Sequence, residues 1–237
     1  MVIREVEART AELAQFSYRT SHDLRGPLVT IAGLCRAAQE DMEDGMLEDV
    51  SHSLSRIAHH AGRLDALVGD LLSLTRADLQ EHAEEPVDIA QLLDEIHADL
   101  SEIMPDHRVA TLAEVSLEGP CMVQRTRLAQ ILTNLISNGI KYASPDADAP
   151  FVRTTVEAVG RSLRITVLDN GRGIPEEYQA RAFAMFERLH PEASVAGSGL
   201  GLAIVQKHVE HLGGRIQLNS SPQGTAFTLI IPMKKSP

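Results

Sequence analysis

The chain has 237 residues, a formal net charge of −11, no tryptophan and 3% aromatic residues. That length allows one domain or two around an aliphatic core, and the acidic balance argues against nucleic acid or an anionic membrane as the main partner. Cys35 and Cys121 make no disulfide framework and point to buried, reduced thiols in a cytoplasmic setting; with no run of about 18 apolar residues and no opening signal peptide, no membrane span is expected.

The N-terminal third keeps a heptad beat. Ile3, Val6, Thr10, Leu13, Ser17, Thr20 and Leu24 alternate by three and four, and the series continues through Pro27, Ile31, Leu34 and Ala38. A second stripe runs Leu47, Val50, Leu54, Ile57, Ala61, Leu64, Val68 and Leu71, after an acidic "EDMEDG" turn ending on Gly45. Two such helices predict a helical hairpin over residues 1–80. One hairpin buries its stripes poorly, so pairing into a homodimeric four-helix bundle is expected. Within the first helix, "SHDLRGPL" places His22 two residues from the seam position Thr20, about 200° around the axis and toward solvent. Pro27 cannot donate to the Asp23 carbonyl, so a local break beside His22 is expected. An ordinary surface histidine beside an ordinary kink would give the same local pattern. Adjacent helix residues do not face each other, so spacing alone brings no contact between Asp23 and the imidazole.

The polar "QEHAEEPVD" predicts a linker over 81–87 and a second domain over 88–237. "VDIAQLLDEIHADL", "RLAQILTNLISNGIKYA" and "LGLAIVQKHVEHLGG" have helical period, and Gly213-Gly214 stop the last. "FVRTTVEAV", "RSLRITVLD" and "RIQLNSS…TAFTLIIP" alternate as half-buried strands. The expected fold class is therefore multidomain: an all-α hairpin followed by an α+β, two-layer α/β sandwich.

Three patterns in the second half carry chemistry. On "NLISNGIKY" the apolar face is Leu128, Ile131, Leu132, Leu135 and Ile136. Asn134 and Asn138 stand four apart, followed by Lys141 and Tyr142: neutral oxygens, then a cation, as Mg²⁺ and a polyphosphate require. A solvated helix face would look the same. In "RITVLDNGRGIP", Leu163, Ile165 and Val167 lead to Asp169, a carboxylate that can accept from an exocyclic amine, and to Gly171 and Gly173, which allow close backbone approach. A plain turn, or a fragment of a calcium loop, is the alternative. "GSGLGLAIV" sets Gly197, Gly199 and Gly201 before a helix, where backbone N–H groups can bind phosphate. It follows no strand and lacks the lysine of a P-loop. His208 and His211 stand three apart with no third metal ligand in view.

In this order the patterns resemble the sensor histidine kinases of two-component systems. "SHDLRGPL" is similar to the phosphoacceptor box, "NLISNGIKY" to the N box, "FAMFERL" to the F box, "DNGRG" to the G1 box and "GSGLGL" to the G2 box. The resemblance covers residues from about 10 to 232. It implies a dimerisation and phosphotransfer bundle followed by a Bergerat-type ATP-binding domain, an enzyme that phosphorylates itself from ATP and Mg²⁺, and a response regulator receiver domain as partner. The input is left open among an upstream sensor domain, a sensor on a separate chain and a stand-alone kinase. By the same resemblance His22 is the phosphoacceptor and Asp23 its helper. Asn134 and Asn138 hold Mg²⁺, and Lys141 and Tyr142 approach the phosphates. Asp169 takes the adenine amine with Thr225 nearby, and Gly171, Gly173, Gly197, Ser198, Gly199, Leu200 and Gly201 shape the nucleotide pocket and a lid over residues 174–199. The intact Asn, Asp and Gly set counts against the rival implication, a phosphotransfer or scaffold protein with little kinase activity. One position departs from the family pattern. Members that also dephosphorylate their regulator carry Thr or Asn four residues after the histidine, and here that residue is Gly26.

Overall fold

A computed structural model describes residues 2–77, 83–104, 108–187, 189 and 198–233. The chain divides into two compact units, the first made of residues up to Leu72 together with Ser198 and the second of the bulk of the chain from Ser73 onward.

The first unit is a helical hairpin of α1 (Val2–Glu43) and α2 (Leu47–Ala77). Gly45, at φ 78°, ends α1. The Met46 N–H reaches the Asp41 carbonyl at 2.8 Å and the Gly45 N–H reaches that of Met42 at 3.3 Å, so the last carbonyls are satisfied as the chain reverses. Glu48 and Asp49 then sit at the positive end of α2. Leu34 and Ala38 of α1, with Val50, Ser53 and Leu67 of α2, are buried. Leu47, Leu54, Val68 and Leu72 of α2 are not; their exposures are 72, 56, 41 and 47%. Of the expected α2 stripe only Val50 is fully buried, while Ser53 and Leu67 lie beside it, so most of the stripe is left uncovered within one hairpin.

Helix α1 passes Pro27 without interruption, against the expected break. Proline removes one hydrogen bond, and a 42-residue helix retains the bonds on either side. The Thr30 hydroxyl donates to the Gly26 carbonyl at 3.1 Å, within the affected turn.

The second unit is a five-stranded sheet covered on one face by helices. Its order is β2 (Ala110–Ser116), β4 (Phe151–Val159), β5 (Ser162–Asp169), β7 (Gly224–Pro232), β6 (Arg215–Ser221). Within it only β2 and β4 are parallel; the other neighbours are antiparallel. A two-stranded ribbon, β1 (Glu85–Val87) with β3 (Cys121–Val123), lies apart from this sheet, so the end of the polar segment read as linker is a paired strand. The helices are α3 (Ile89–Ile103), α4 (Arg125–Lys141), the short α5 (Glu176–Gln179) and α6 (Gly201–His211).

The periodicities explain this layering. Asp88 caps α3, accepting from the N–H groups of Ala90 and Gln91, and Ile89, Leu92, Leu93, Ile96 and Leu100 point inward at helical spacing. On α4 the expected face is buried, with Leu128, Ile131, Leu132, Leu135 and Ile136 at most 1% exposed. Leu163, Ile165 and Val167 of β5 pair with Ile231, Leu229 and Phe227 of β7, and all six are buried. Each such large side chain contributes about 1.5–3 kcal/mol on leaving water. The sequence pattern did not reveal β2. Five of its seven residues are exposed, so it lacks the alternation that marks a half-buried strand.

Candidate functional site

In the helical unit, His22 stands on the outer face of α1 with its side chain 76% exposed. Asp23 reaches it: the carboxylate Oδ1 lies 3.1 Å from His22 Nδ1. The two Cα atoms face different directions, and side-chain length closes the gap that spacing left open. A carboxylate only accepts, so Nδ1 carries the hydrogen and the lone pair of the neutral ring sits on Nε2. The exposed ring thus offers a nucleophile whose tautomer is held by its neighbour. Gly26, one turn on, is exposed, and a Cβ there would meet nothing within 4 Å. Neither φ nor packing demands glycine at this position.

In the sheet unit, Asp169 ends β5, opposite Thr225 of β7. Its Oδ1 accepts from the N–H groups of Gly171 (2.9 Å) and Thr225 (3.2 Å). Burial pushes its carboxyl above the usual range, and the two backbone donors oppose the shift without cancelling it. Both backbone donors converge on Oδ1, and Asp169 lines a cleft with Asn138, Tyr142, Gly173, Ile174, Leu202 and Phe227. A desolvated carboxylate in an apolar cleft suits a flat ligand with an amine edge. Thr225 is 5% exposed, and its hydroxyl lies 2.8 Å from that of Ser220.

Glycines make the cleft possible. At Gly171 a Cβ would lie 2.5 Å from the Tyr142 carbonyl oxygen; at Gly173, at φ 67°, it would lie 1.8 Å from that of Ser221. No side chain fits either position. Gly139 and Ser220 belong to the same architecture and were missed from sequence. A Cβ on Gly139 would lie 2.6 Å from Val152 and 3.4 Å from the Asp169 side chain. A glycine inside an otherwise strong helix pattern was the available signal. Ser220 accepts from the Ile174 N–H at 2.8 Å, and Gln179 donates to the Ile174 and Ser220 carbonyls. Ser220 had no local signature.

Asn134 and Asn138 are half-buried on α4 beside the first turn of α6. A Cβ on Gly201 would lie 3.0 Å from Asn134 Oδ1 and 4.0 Å from Asn138 Nδ2. Two carboxamides therefore stand against a helix N-terminus, where unpaired N–H groups favour an anion. Their neutral oxygens are ligands that Mg²⁺ accepts. Leu200, at the N-cap of α6, is fully buried and anchors that terminus. Gly199, at φ 71°, receives the Phe186 N–H on its carbonyl at 2.9 Å, which ties the F-box segment to the start of α6. Ser198 is half-buried just ahead of it, and Gly197 lies outside the described residues.

Not every candidate converges. Tyr142 lines the Asp169 cleft and Lys141 does not. Exposed at the end of α4, Lys141 lines a separate groove of about 360 Å³ with Arg108, Ser144, Asp148 and Arg172. His208 is buried against Arg127, and His211 Nδ1 lies 2.8 Å from the Lys207 carbonyl oxygen. No group of three or more metal-binding side chains occurs among the described residues, and no described helix is long and apolar enough to cross a membrane.

Residues 12–80 match the family model of the His Kinase A (phospho-acceptor) domain, and residues 123–235 match that of the histidine kinase-, DNA gyrase B- and HSP90-like ATPase. The methanogenesis regulatory histidine kinase FilI of Methanothrix harundinacea is 33% identical over 97% of this chain and 26% of its own length. The probable sensor histidine kinase TcrY of Mycobacterium tuberculosis is 36% identical over 92% of this chain and 46% of its own length. The chain thus spans less than half of either relative. Among solved structures, full-length ShkA in complex with AMPPNP aligns with a TM-score of 0.67 at 28% identity, covering 80% of this chain and 40% of that one. Histidine kinase ThkA, in complex with the response regulator protein TrrA, shares the fold with a TM-score of 0.75 at 22% identity, over 98% of this chain and 65% of that one.

Proposed function

The chain belongs to the histidine kinase family, as the catalytic core, and from that premise we propose that it transfers the γ-phosphoryl group of ATP to His22 and thence to an aspartate of a response regulator receiver domain. Residues 1–80 serve as the dimerisation and phosphoacceptor domain, 81–87 as linker and 88–237 as the ATP-binding domain. The pairing of β1 with β3 ties the last linker residues to the second domain.

The observation that carries the proposal is the convergence at Asp169. A buried carboxylate with both backbone donors on one oxygen keeps the other for the adenine amino group. Guanine presents a carbonyl oxygen at that position, and two acceptors repel. The carboxamide oxygens of Asn134 and Asn138 would hold Mg²⁺, which would supply the charge neutralisation that phosphoryl transfer chiefly requires. The first turn of α6, with Gly201 against Asn134, supplies backbone N–H groups to the same phosphates. Tyr142, and Lys141 after a change of rotamer, complete the binding set, and Ser198 and Gly199 lead into it.

In the transfer step the Nε2 lone pair of His22 forms the P–N bond as the P–O bond to the leaving ADP breaks. The ring becomes cationic, and Asp23, 3.1 Å from Nδ1, stabilises that charge or takes its proton. The exposure of His22 lets the same atom meet ATP and later a regulator aspartate. Exposed Leu47, Leu54 and Val68 of the α2 stripe, with Leu72 beside them, support a homodimer in which two hairpins share their stripes. Free Cys121, buried as expected, and free Cys35, exposed against expectation, support a cytoplasmic site of reaction together with the use of ATP. Incubation with γ-labelled ATP and Mg²⁺ tests this reading. Acid-labile, base-stable label on His22 supports it, whereas label on a hydroxyl residue refutes it.

A further inference from the structure

Two polar points between helices α4 and α6 stand out, and one of them lies outside the site described above. At one end Gly201 lies against Asn134. At the other, Arg127 Nη1 donates to His208 Nδ1 at 3.2 Å, with both residues 3% exposed. Arg127 stands seven residues before Asn134, and His208 seven residues after Gly201. Seven residues are nearly two turns, so each pair shares one face of its helix. The helices therefore cross the contact antiparallel, with its two ends about 10 Å apart at 1.5 Å rise per residue.

The two kinds of contact along this interface differ in what they fix. Leu128, Ile131, Val205 and Val209 are buried, but apolar contact is non-directional and tolerates sliding. The Arg127–His208 bond is directional. A guanidinium has donors only, so His208 Nδ1 must accept. Arg127 Nε is held in turn by Gln124 Oε1 at 2.7 Å, just before α4 begins. A shift of α6 by one residue, about 1.5 Å, would break the bond inside the core.

We propose that Arg127 and His208 are positioning residues for the phosphate end of the nucleotide site. Their buried bond sets the axial register of α6 on α4. That register places the first-turn N–H groups of α6 beside the carboxamides of Asn134 and Asn138. The adenine end is built differently, by Asp169 with Gly171 and Thr225. The inference rests on the ATP-binding reading given above.

The test compares Mg²⁺–ATP and adenosine as ligands of the whole chain by titration. His208→Leu leaves a buried cation short of an acceptor and risks unfolding. The double variant Arg127→Met, His208→Leu removes both ends of this bond together, and His208→Gln restores an acceptor. In the double variant Mg²⁺–ATP should bind about tenfold or more weaker, the scale of losing an outer support of a metal site, while adenosine binding stays at the unmodified level. His208→Gln should recover most of the ATP affinity. If ATP and adenosine weaken together, or neither weakens, the positioning role is wrong. Absence of Mg²⁺–ATP binding by the unmodified chain would remove the nucleotide-site reading itself, and this inference with it.

Discussion

Replacing Asp169 with Asn should move stability and function in opposite directions. The carboxylate is buried and its pKa is raised chiefly by desolvation. Between the ordinary carboxylate pKa and the raised one, the folded protein holds a proton that the unfolded chain has released. Stability therefore falls as pH rises through that window, and ionised Asp169 destabilises the empty protein at neutral pH. An Asn carbonyl oxygen can still accept from Gly171 and Thr225, now at 2.9 and 3.2 Å from Oδ1, without a buried charge. Asp169→Asn should thus unfold at the same temperature or higher. Ligand binding should suffer. The atom at the Oδ2 position becomes an NH₂ donor facing an adenine donor, and one charge-assisted hydrogen bond is lost. Such a bond contributes about 1.5–3 kcal/mol, about 10- to 150-fold in Kd. Asp169→Ala is the contrast, because it leaves both backbone N–H groups without their acceptor and should lower both melting temperature and affinity. Calorimetric titration with ATP and a thermal melt of each apo variant read the two effects. Unchanged ATP affinity in Asp169→Asn, or a loss of affinity that tracks a loss of stability, would refute the role of Oδ2.

His22→Ala should abolish incorporation of labelled phosphate while ATP titration stays as in the unmodified chain; persistent label would place the phosphoacceptor elsewhere. Gly173→Ala should destabilise the sheet unit by more than about 1 kcal/mol, since φ is 67° and a Cβ would overlap the Ser221 carbonyl; a denaturant midpoint equal to that of the unmodified chain would contradict it. Gly26→Thr should leave the fold intact, because the position is open. It should also speed regulator dephosphorylation by supplying a hydroxyl one turn from His22 that can orient water. The unmodified chain should release inorganic phosphate from a phosphorylated regulator little faster than the regulator's own decay; rapid release would show that no side chain is needed there.

Much of the site was legible because its signals are local. Asp169 comes just after three alternating apolar residues, so the strand end and the inward face can be counted off the chain. Asn134 and Asn138 recur four apart on a helix whose buried face is equally plain. Glycine at Gly171 and Gly173 marks a backbone that must come close to something, although not what it meets. His22 was readable as solvent-facing from its angle to the heptad seam. The Asp23 contact was not, because it depends on side-chain rotamers and not on helical phase. β2 escaped notice because an exposed edge strand has no burial rhythm.

Short-range periodicity is enough to specify the helical hairpin, the alternating strands, the aliphatic core and the order of the polar motifs. Those features repeat within a few residues, and secondary structure converts such repeats directly into faces. Which faces meet is a matter of tertiary packing. Packing put the Thr225 N–H on the Asp169 carboxylate, 56 positions apart in the chain, and set His208 against Arg127 across 81. It also turned Lys141 into a different groove from Tyr142, its neighbour in sequence. No local propensity encodes such pairings. They are selected when the sheet and helices close around a shared core and each buried donor must find an acceptor there.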